Sequence, residues 1–113
     1  MATTSVAPLI DMETLQRIAP VIRLAAHPLR LRIIDFLRLR GEPCSVSEII
    51  EATGAEQAVV SQQLRILKDQ GILTARRRGN HVLYEIANRN VLLLLECIRR
   101  HQGGCIAELA QGE

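Results

Sequence analysis

Residues 53–73 read TGAEQAVVSQQLRILKDQGIL, and this stretch decides the fold. After the opening Thr-Gly break, Val60, Leu64 and Leu67 recur at helical spacing, so the pattern predicts a helix with one buried face. Gly71 is expected to end that helix. The other face carries glutamines, a serine and an arginine, whose side chains can hydrogen-bond to a ligand.

A second, shorter helix is predicted immediately upstream. Ser45 and Glu48 form a capping box, in which each side chain satisfies a free backbone N–H group at a helix start. This helix is expected to run to about Ala52, and Thr53-Gly54 then makes a tight break. Two short helices joined by a turn that contains glycine are typical of a helix-turn-helix.

A β-hairpin is predicted downstream. The segments ILTARRR and HVLYEI alternate apolar and polar residues on either side of Gly79-Asn80. The order Gly-Asn favours a turn of type II′. A helix-turn-helix followed by an arginine-rich hairpin indicates a winged helix-turn-helix, so we predict a mainly α fold with a two-stranded β-hairpin wing.

Three further helices complete the predicted domain. The first begins after an N-cap at Asp11 and runs to about Ala26, and the second opens at Pro28 and closes at Gly41. The last helix, VLLLLECIRRH, is too apolar for the surface of a monomer and needs a partner. We expect a flexible arm over residues 1–10, one domain over residues 11–102 and a flexible tail over residues 103–113.

Composition limits the class of protein. A chain of 113 residues supports one domain, and 48% apolar residues with one Phe, one Tyr and no Trp favour a core of packed aliphatic helices. The net charge of +2 is small, so nucleic-acid binding must depend on local clusters of arginine. The sequence shows neither a signal-peptide pattern nor an apolar run of membrane-spanning length, so we expect a cytoplasmic protein that does not bind membranes.

The side chains expected to contact DNA lie on the fourth helix and on the hairpin. Amide, hydroxyl and guanidinium groups on a helix can hydrogen-bond to base edges in the major groove, and arginines at a hairpin tip neutralise phosphates or enter the minor groove. Because successive strand residues face opposite sides, Arg77 is expected to point differently from Arg76 and Arg78. The predicted contact residues are Gln57, Ser61, Gln62, Arg65, Arg76, Arg77, Arg78 and His81.

Three segments stand together in the order and spacing of one family: AHPLRLRIIDFL, TGAEQAVVSQQLRILKDQGIL and RRRGNHVLYEI. On these segments, over about residues 25–101, the chain resembles the ArsR/SmtB repressors, bacterial winged-helix homodimers that sense metals, metalloids or reactive sulfur and oxygen species. The resemblance implies a transcriptional repressor rather than an enzyme, a homodimer paired through its first and last helices, and an imperfectly palindromic operator in double-stranded DNA. It also adds Gln63 to the base-reading residues, where the family commonly has histidine, and it shows Glu56 in place of the usual capping serine.

The best-known sensing motifs of the resembled family are missing from this sequence. Ser45-Val46-Ser47 stands where the arsenic- and cadmium-sensing members have Cys-Val-Cys. Of the four zinc-ligand positions on the last helix, only His101 carries a ligand residue, because the other three are Asn88, Asn90 and Gly104. We therefore reject a zinc site of that kind and expect no required cofactor.

Cys44, Cys97 and Cys105 remain as candidates for sensing, and their odd number and long spacings favour free thiols. A sensor of reactive sulfur or oxidants needs two thiols that can bridge, and we favour Cys44, at a helix start that lowers its pKa, with Cys105 on the tail. The alternative is arsenite, or another thiophilic metal or metalloid, bound by all three thiols. Cys44 and Cys97 also have a purely structural interpretation as small apolar residues of the core.

Three rival functions are open at this level. Cys97 and His101, four residues apart, have the residue types of a thiol enzyme, although a dimer-forming helix offers no cleft for a substrate. A winged domain can also bind protein rather than DNA, since a fold does not determine a function. The third is a DNA-binding dimer that responds to no effector.

Overall fold

The computed structural model of the chain describes residues 8–100 and contains, within that range, five helices and three strands. The elements follow one another as α1 (Met12–Ala25), α2 (Pro28–Arg40), β1 (Cys44–Ser45), α3 (Val46–Thr53), α4 (Gln57–Asp69), β2 (Leu73–Arg78), β3 (His81–Ile86) and α5 (Asn90–Arg100). The predicted mainly α, winged helix-turn-helix fold is confirmed.

The helix ends lie where local capping signals predict them. Asp11 accepts a hydrogen bond of 2.9 Å from the backbone N–H of Thr14 and so caps α1. At the start of α3, Ser45 and Glu48 form both hydrogen bonds of the capping box. Gly41 closes α2 with a φ of 69°, a left-handed conformation that glycine adopts without steric cost.

The sheet has one strand more than the sequence predicts. β2 and β3 form the antiparallel hairpin, and β1 adds to the free edge of β3 by pairing Cys44 with Tyr84 and Ser45 with Leu83. The predicted two-stranded hairpin is therefore present, and β1 extends it to a three-stranded sheet. A strand of two residues is too short to show an alternating pattern in the sequence. At the hairpin tip only Gly79 has a positive φ, which agrees with a turn of type II′ and excludes type I′.

The core is aliphatic and lies between α2, α3, α4, the base of the sheet and α5. It consists of residues that are almost fully buried: Ala25, Ile33, Ile34, Leu37, Cys44, Ile49, Val60, Leu64, Leu67, Ile72, Leu73, Val91 and Leu95. Helix α1 contributes only Ala25 to this set and packs mainly against α5. These two helices leave apolar side chains in solvent, among them Ile22, which is 48% exposed, and Leu93, which is 73% exposed.

Both predicted terminal segments lie largely or wholly outside the described residues. The arm over residues 1–10 is described only from residue 8, and the tail over residues 103–113 is not described. Within the described chain, every helix is too short or too polar to cross a bilayer.

Candidate nucleic-acid interface

Helix α4 has a buried face and an exposed face of different chemistry. Val60, Leu64 and Leu67 pack into the core, as predicted. The opposite side exposes Ser61, Gln62 and Arg65, and Gln57 is exposed in the first turn. The exposed face therefore offers hydroxyl, amide and guanidinium groups, which are the groups that read base edges.

Gln63 does not lie on this exposed face, and its prediction as a base-reading residue is corrected. Its side chain is 8% exposed and accepts a hydrogen bond of 2.6 Å from Nε of Arg30 in α2. The sequence contains the signal for this position, because Val60 precedes Gln63 by three residues and Leu67 follows it by four, so all three share the buried face. The same contact keeps the Arg30 side chain partly buried rather than in solvent.

The first turn of α4 has no side-chain cap. Glu56 occupies the N-cap position with an extended backbone, and its carboxylate makes no capping hydrogen bond. The turn between α3 and α4 passes through Gly54, whose φ is 75°. The free N–H groups at this helix start are therefore not satisfied by the side chain before them, and such groups favour a negatively charged partner.

A groove separates α4 from the wing. It is lined by Ala58, Ser61, Gln62, Arg65, Lys68 and Tyr84. Lys68 and Tyr84 were not among the predicted contact residues. The spacing of Lys68 three residues after Arg65 was the available signal, because residues three apart lie on neighbouring parts of one helix face.

The three wing arginines divide between the two faces of the sheet, as predicted. The register pairs Ala75 with Tyr84 and Arg77 with Val82, so Arg77 lies on the same face as Tyr84, toward α4. Arg76 and Arg78 lie on the opposite face. Arg76 is exposed there, and its Nη2 lies 3.7 Å from a carboxylate oxygen of Glu85.

His81 and Arg78 lie together beside the start of α3. They line a shallow depression with Ser45, Glu48 and Leu83. His81 is directly opposite Arg78 across the hairpin turn. The wing therefore presents arginine on both faces, with Arg77 alone on the side of the groove.

Comparison with known proteins identifies the family. The family described as "Bacterial regulatory protein, arsR family" matches residues 27–75. The chain is 36% identical over 87 residues to the HTH-type transcriptional regulator NmtR of Mycobacterium tuberculosis, and the match covers 77% of this chain and 71% of that protein. The chain belongs to the ArsR family.

Solved structures of ArsR regulators share the fold. The crystal structure of the AntR antimony-specific transcriptional repressor superposes with a TM-score of 0.72 at 29% identity, and the match covers 100% of this chain and 96% of that one. The homodimeric winged helix-turn-helix DNA-binding domain of an ArsR-family protein from Mycobacterium bovis gives a TM-score of 0.63 at 31% identity, over 83% of this chain and 87% of that one. Proteins of this family are DNA-binding transcriptional regulators and not enzymes.

In this ArsR regulator Cys44 is buried, contrary to the predicted accessible thiol. Its side chain is fully buried where β1 pairs with β3, and the thiol donates a hydrogen bond of 3.3 Å to the carbonyl of Glu42. Burial raises the pKa of Cys44, and the nearby Arg40 opposes this shift only in part. The prediction of a lowered pKa at the helix start is wrong, because loss of solvent outweighs the favourable charges.

Cys97 is exposed on α5, so its interpretation as a buried packing residue is wrong. It follows the exposed Leu93 by one helical turn. The two residues predicted to act with it, His101 and Cys105, lie outside the described residues. Between residues 8 and 100, no three His, Cys, Asp or Glu side chains cluster closely enough to hold a metal ion.

Proposed function

We propose that this ArsR-family repressor binds an imperfectly palindromic operator as a homodimer, with α4 in the major groove and the wing on the flanking backbone. The observation that carries the proposal is that the polar face of α4 and one face of the wing lie on the same side of the molecule. The exposed face of α4 and Tyr84 of the wing border one groove. Arg77 lies on the same face of the wing as Tyr84. Two such units related by a two-fold axis reach half-sites about one turn of DNA apart, roughly 34 Å.

The residues of the interface have different roles in this proposal. Gln57, Ser61 and Gln62 read bases, because their amide and hydroxyl groups can discriminate donor and acceptor patterns. Positive side chains neutralise phosphates and fix the register without reading sequence. These are Arg65, Lys68, Arg76, Arg77 and Arg78, and the imidazole of His81 contributes as a hydrogen-bond donor to the DNA backbone.

The test is fluorescence anisotropy on labelled duplexes from upstream of the protein's own gene. We expect Gln62→Ala to lower the preference for operator over scrambled duplex by about tenfold, since one good base contact discriminates by about 1–3 kcal/mol. Gln70→Ala is the matched control, because Gln70 is an exposed glutamine just beyond the last turn of α4. A wild-type protein that binds no duplex, or binds all duplexes equally, contradicts the proposal.

We further propose that oxidation of cysteine thiols releases the operator, with Cys97 as the thiol that reacts first. Its support is the contrast in burial within a single subunit, where Cys97 is exposed while Cys44 is enclosed. The thiols of Cys97 and Cys105, the second thiol that we assign, lose two protons and two electrons and form a disulfide bond. Polysulfide takes up both electrons, and one of its S–S bonds is cleaved to give two shorter sulfide anions. Such a bridge changes the population of the DNA-binding arrangement, and a coupling of about 2–3 kcal/mol is sufficient for release.

Single Ser variants distinguish the three cysteines. We expect Cys97→Ser and Cys105→Ser to keep operator binding after polysulfide treatment, while Cys44→Ser is released like the wild type. Mass spectrometry after brief alkylation of the reduced native protein should find Cys97 modified and Cys44 unmodified. Retention of operator by Cys44→Ser alone would instead restore Cys44 as the switch.

A trivalent metalloid is the second candidate effector. It is favoured by the similarity to a repressor described as antimony-specific, which covers this whole chain. In this alternative the thiols of Cys44, Cys97 and Cys105 bind arsenite or antimonite, and the buried Cys44 must first become accessible. Release by arsenite in the absence of polysulfide, lost in all three Ser variants, would establish it.

A further inference from the structure

We infer that Arg30 is a positioning residue that holds the recognition helix α4 at a fixed angle to the end of α1, acting through Gln63. The part of this inference that is tested by DNA binding rests on the proposed operator binding. The part that is tested by the orientation of α4 in DNA-free protein does not. Arg30 lies in the first turn of α2 and is partly buried. Its guanidinium donates to two helices at once, and that double contact carries the inference.

The first contact is with the inner face of α4. Nε of Arg30 lies 2.6 Å from Oε1 of Gln63, and Gln63 is the one polar side chain among the buried residues found between residues 8 and 100. A hydrogen bond from a charged donor in a partly buried place is stronger than an ordinary one. Leucine or methionine at this position would pack equally well, so packing alone does not explain an amide there.

The second contact is with the C-terminal end of α1. Nη1 of Arg30 donates a hydrogen bond of 3.0 Å to the carbonyl oxygen of Leu24. The carbonyls of Ile22 and Ala25 on either side accept from backbone N–H groups of the following turn. Arg30 therefore satisfies a carbonyl at the helix end, and its positive charge is favourable at that end of the helix dipole.

The position of Gln63 explains why its anchoring matters for recognition. Ser61 and Gln62 directly precede it, and each residue turns the helix by about 100°. A roll of α4 about its axis therefore moves the exposed side chains sideways across the bases by the same angle. By fixing Gln63, Arg30 fixes the direction in which Ser61 and Gln62 point.

The contact with Leu24 connects the orientation of α4 to the apolar surface formed by α1 and α5. Helix α1 exposes Leu15 and Ile22, and it packs against α5, which exposes Leu93. A shift of α1 on this apolar side must move the acceptor at Leu24 and therefore the guanidinium that holds Gln63. Arginine suits this place because its rigid fork directs two donors at once, whereas lysine offers a single point of charge.

The experiment uses a set of four variants of the full chain. Arg30→Met and Gln63→Met each remove one partner, and the double variant replaces both by apolar groups of similar length. Arg32→Met is the matched control, because Arg32 is an exposed arginine on the same helix. The measurements are urea unfolding, anisotropy on the operator duplex, and residual dipolar couplings of the backbone amides in DNA-free protein. The couplings report the orientation of α4 relative to α1 and α2.

We expect the double variant to regain much of the stability that each single variant loses, because a partner left alone in a buried place costs more than removal of the pair. Its α4 couplings should nevertheless remain displaced, and operator binding should remain weaker by about tenfold or more. Arg32→Met should show wild-type couplings. A purely structural role predicts that binding and couplings recover together with stability.

The outcomes distinguish this inference from the proposed function. If the double variant binds operator like the wild type and its α4 couplings coincide with those of the wild type, the inference is wrong. If Arg32→Met displaces α4 equally, loss of charge on α2 explains the effect and the inference is again wrong. If the wild type binds no duplex, operator binding fails, while the couplings still decide whether Arg30 orients α4.

Discussion

At the scale of a single residue, the helix cap formed by Glu48 makes the stability of the fold depend on pH. Its Oε1 accepts a hydrogen bond of 2.8 Å from the backbone N–H of Ser45, and Arg40 lies 3.3 Å from its other oxygen. The backbone hydrogen bond from Ser45 is the main cause that lowers the pKa of Glu48, and Arg40 adds to it. The folded protein therefore favours the ionised carboxylate.

The pH dependence of stability follows from this direction. A carboxylate with a lowered pKa stabilises the fold fully above its ordinary value of about 4.5, and the contribution is lost as pH falls through the lower folded pKa. We predict that Glu48→Gln unfolds at lower urea concentration than the wild type at neutral pH. The two midpoints should converge as pH falls below the ordinary glutamate value and through the lower folded pKa.

The matched control for this prediction is Glu51→Gln, an exposed glutamate on the same helix. Its urea midpoint should follow that of the wild type across the same pH range. A difference between wild type and Glu48→Gln that stays as large at acid pH as at neutral pH would contradict the assigned role of the charge.

The wing shows at the scale of an element why adjacent arginines need not act alike. Arg77 lies on the face of the wing that carries Tyr84, which borders the groove beside α4. Arg76 lies on the other face, and its Nη2 is 3.7 Å from a Glu85 oxygen. We predict that Arg77→Ala weakens binding to all duplexes evenly and reduces the slope of log affinity against log salt by about one, the value for one phosphate contact.

Arg76→Ala is the companion variant, since it removes the same charge from the same strand. We expect a smaller change in the salt slope, because Glu85 already offsets part of the charge of Arg76. Salt titrations of both variants on one operator duplex measure the two slopes. Equal slopes for Arg76→Ala and Arg77→Ala would show that the faces of the wing do not distinguish them.

Sequence patterns predicted most elements and failed at particular ones for identifiable reasons. Helices α1 to α4 begin and end near the predicted caps, because capping groups lie within four residues of the backbone groups they satisfy. Strand β1 was missed because its partner β3 is almost forty residues later in the chain. That pairing also buries Cys44. Local sequence patterns therefore could not predict the burial of this thiol, for the same reason that they could not predict the strand.

At the scale of the whole molecule, as described over residues 8–100, helices α1 and α5 leave an apolar surface in solvent. Ile18, Val21, Ile22, Leu93 and Leu94 border a single apolar cleft there. Exposed clusters of this kind mark interfaces, and the predicted homodimer pairs through these two helices. We predict that Leu93→Asp raises the dissociation constant of the dimer. Each leucine side chain that the interface buries contributes about 1.5–3 kcal/mol, so each copy that is replaced should raise the constant by about tenfold to a hundredfold.

Sedimentation equilibrium over a range of protein concentrations measures the effect. Leu39→Asp is the control, because Leu39 is 61% exposed on α2 and does not border the apolar cleft between α1 and α5. Operator affinity should fall together with dimerisation, since a two-fold operator requires both copies. A Leu93→Asp protein with the wild-type dissociation constant would place the interface elsewhere.

The sequence by itself determined the helix boundaries, the hairpin and the family, because caps, turn residues and apolar spacing act over a few neighbouring residues. It also located most of the exposed face of α4, since that face is the complement of Val60, Leu64 and Leu67. Tertiary structure alone decided that Gln63 meets Arg30, that Cys44 is enclosed and that Cys97 is not. These outcomes depend on how elements distant in sequence pack together, and no periodicity within one element specifies which partner it meets.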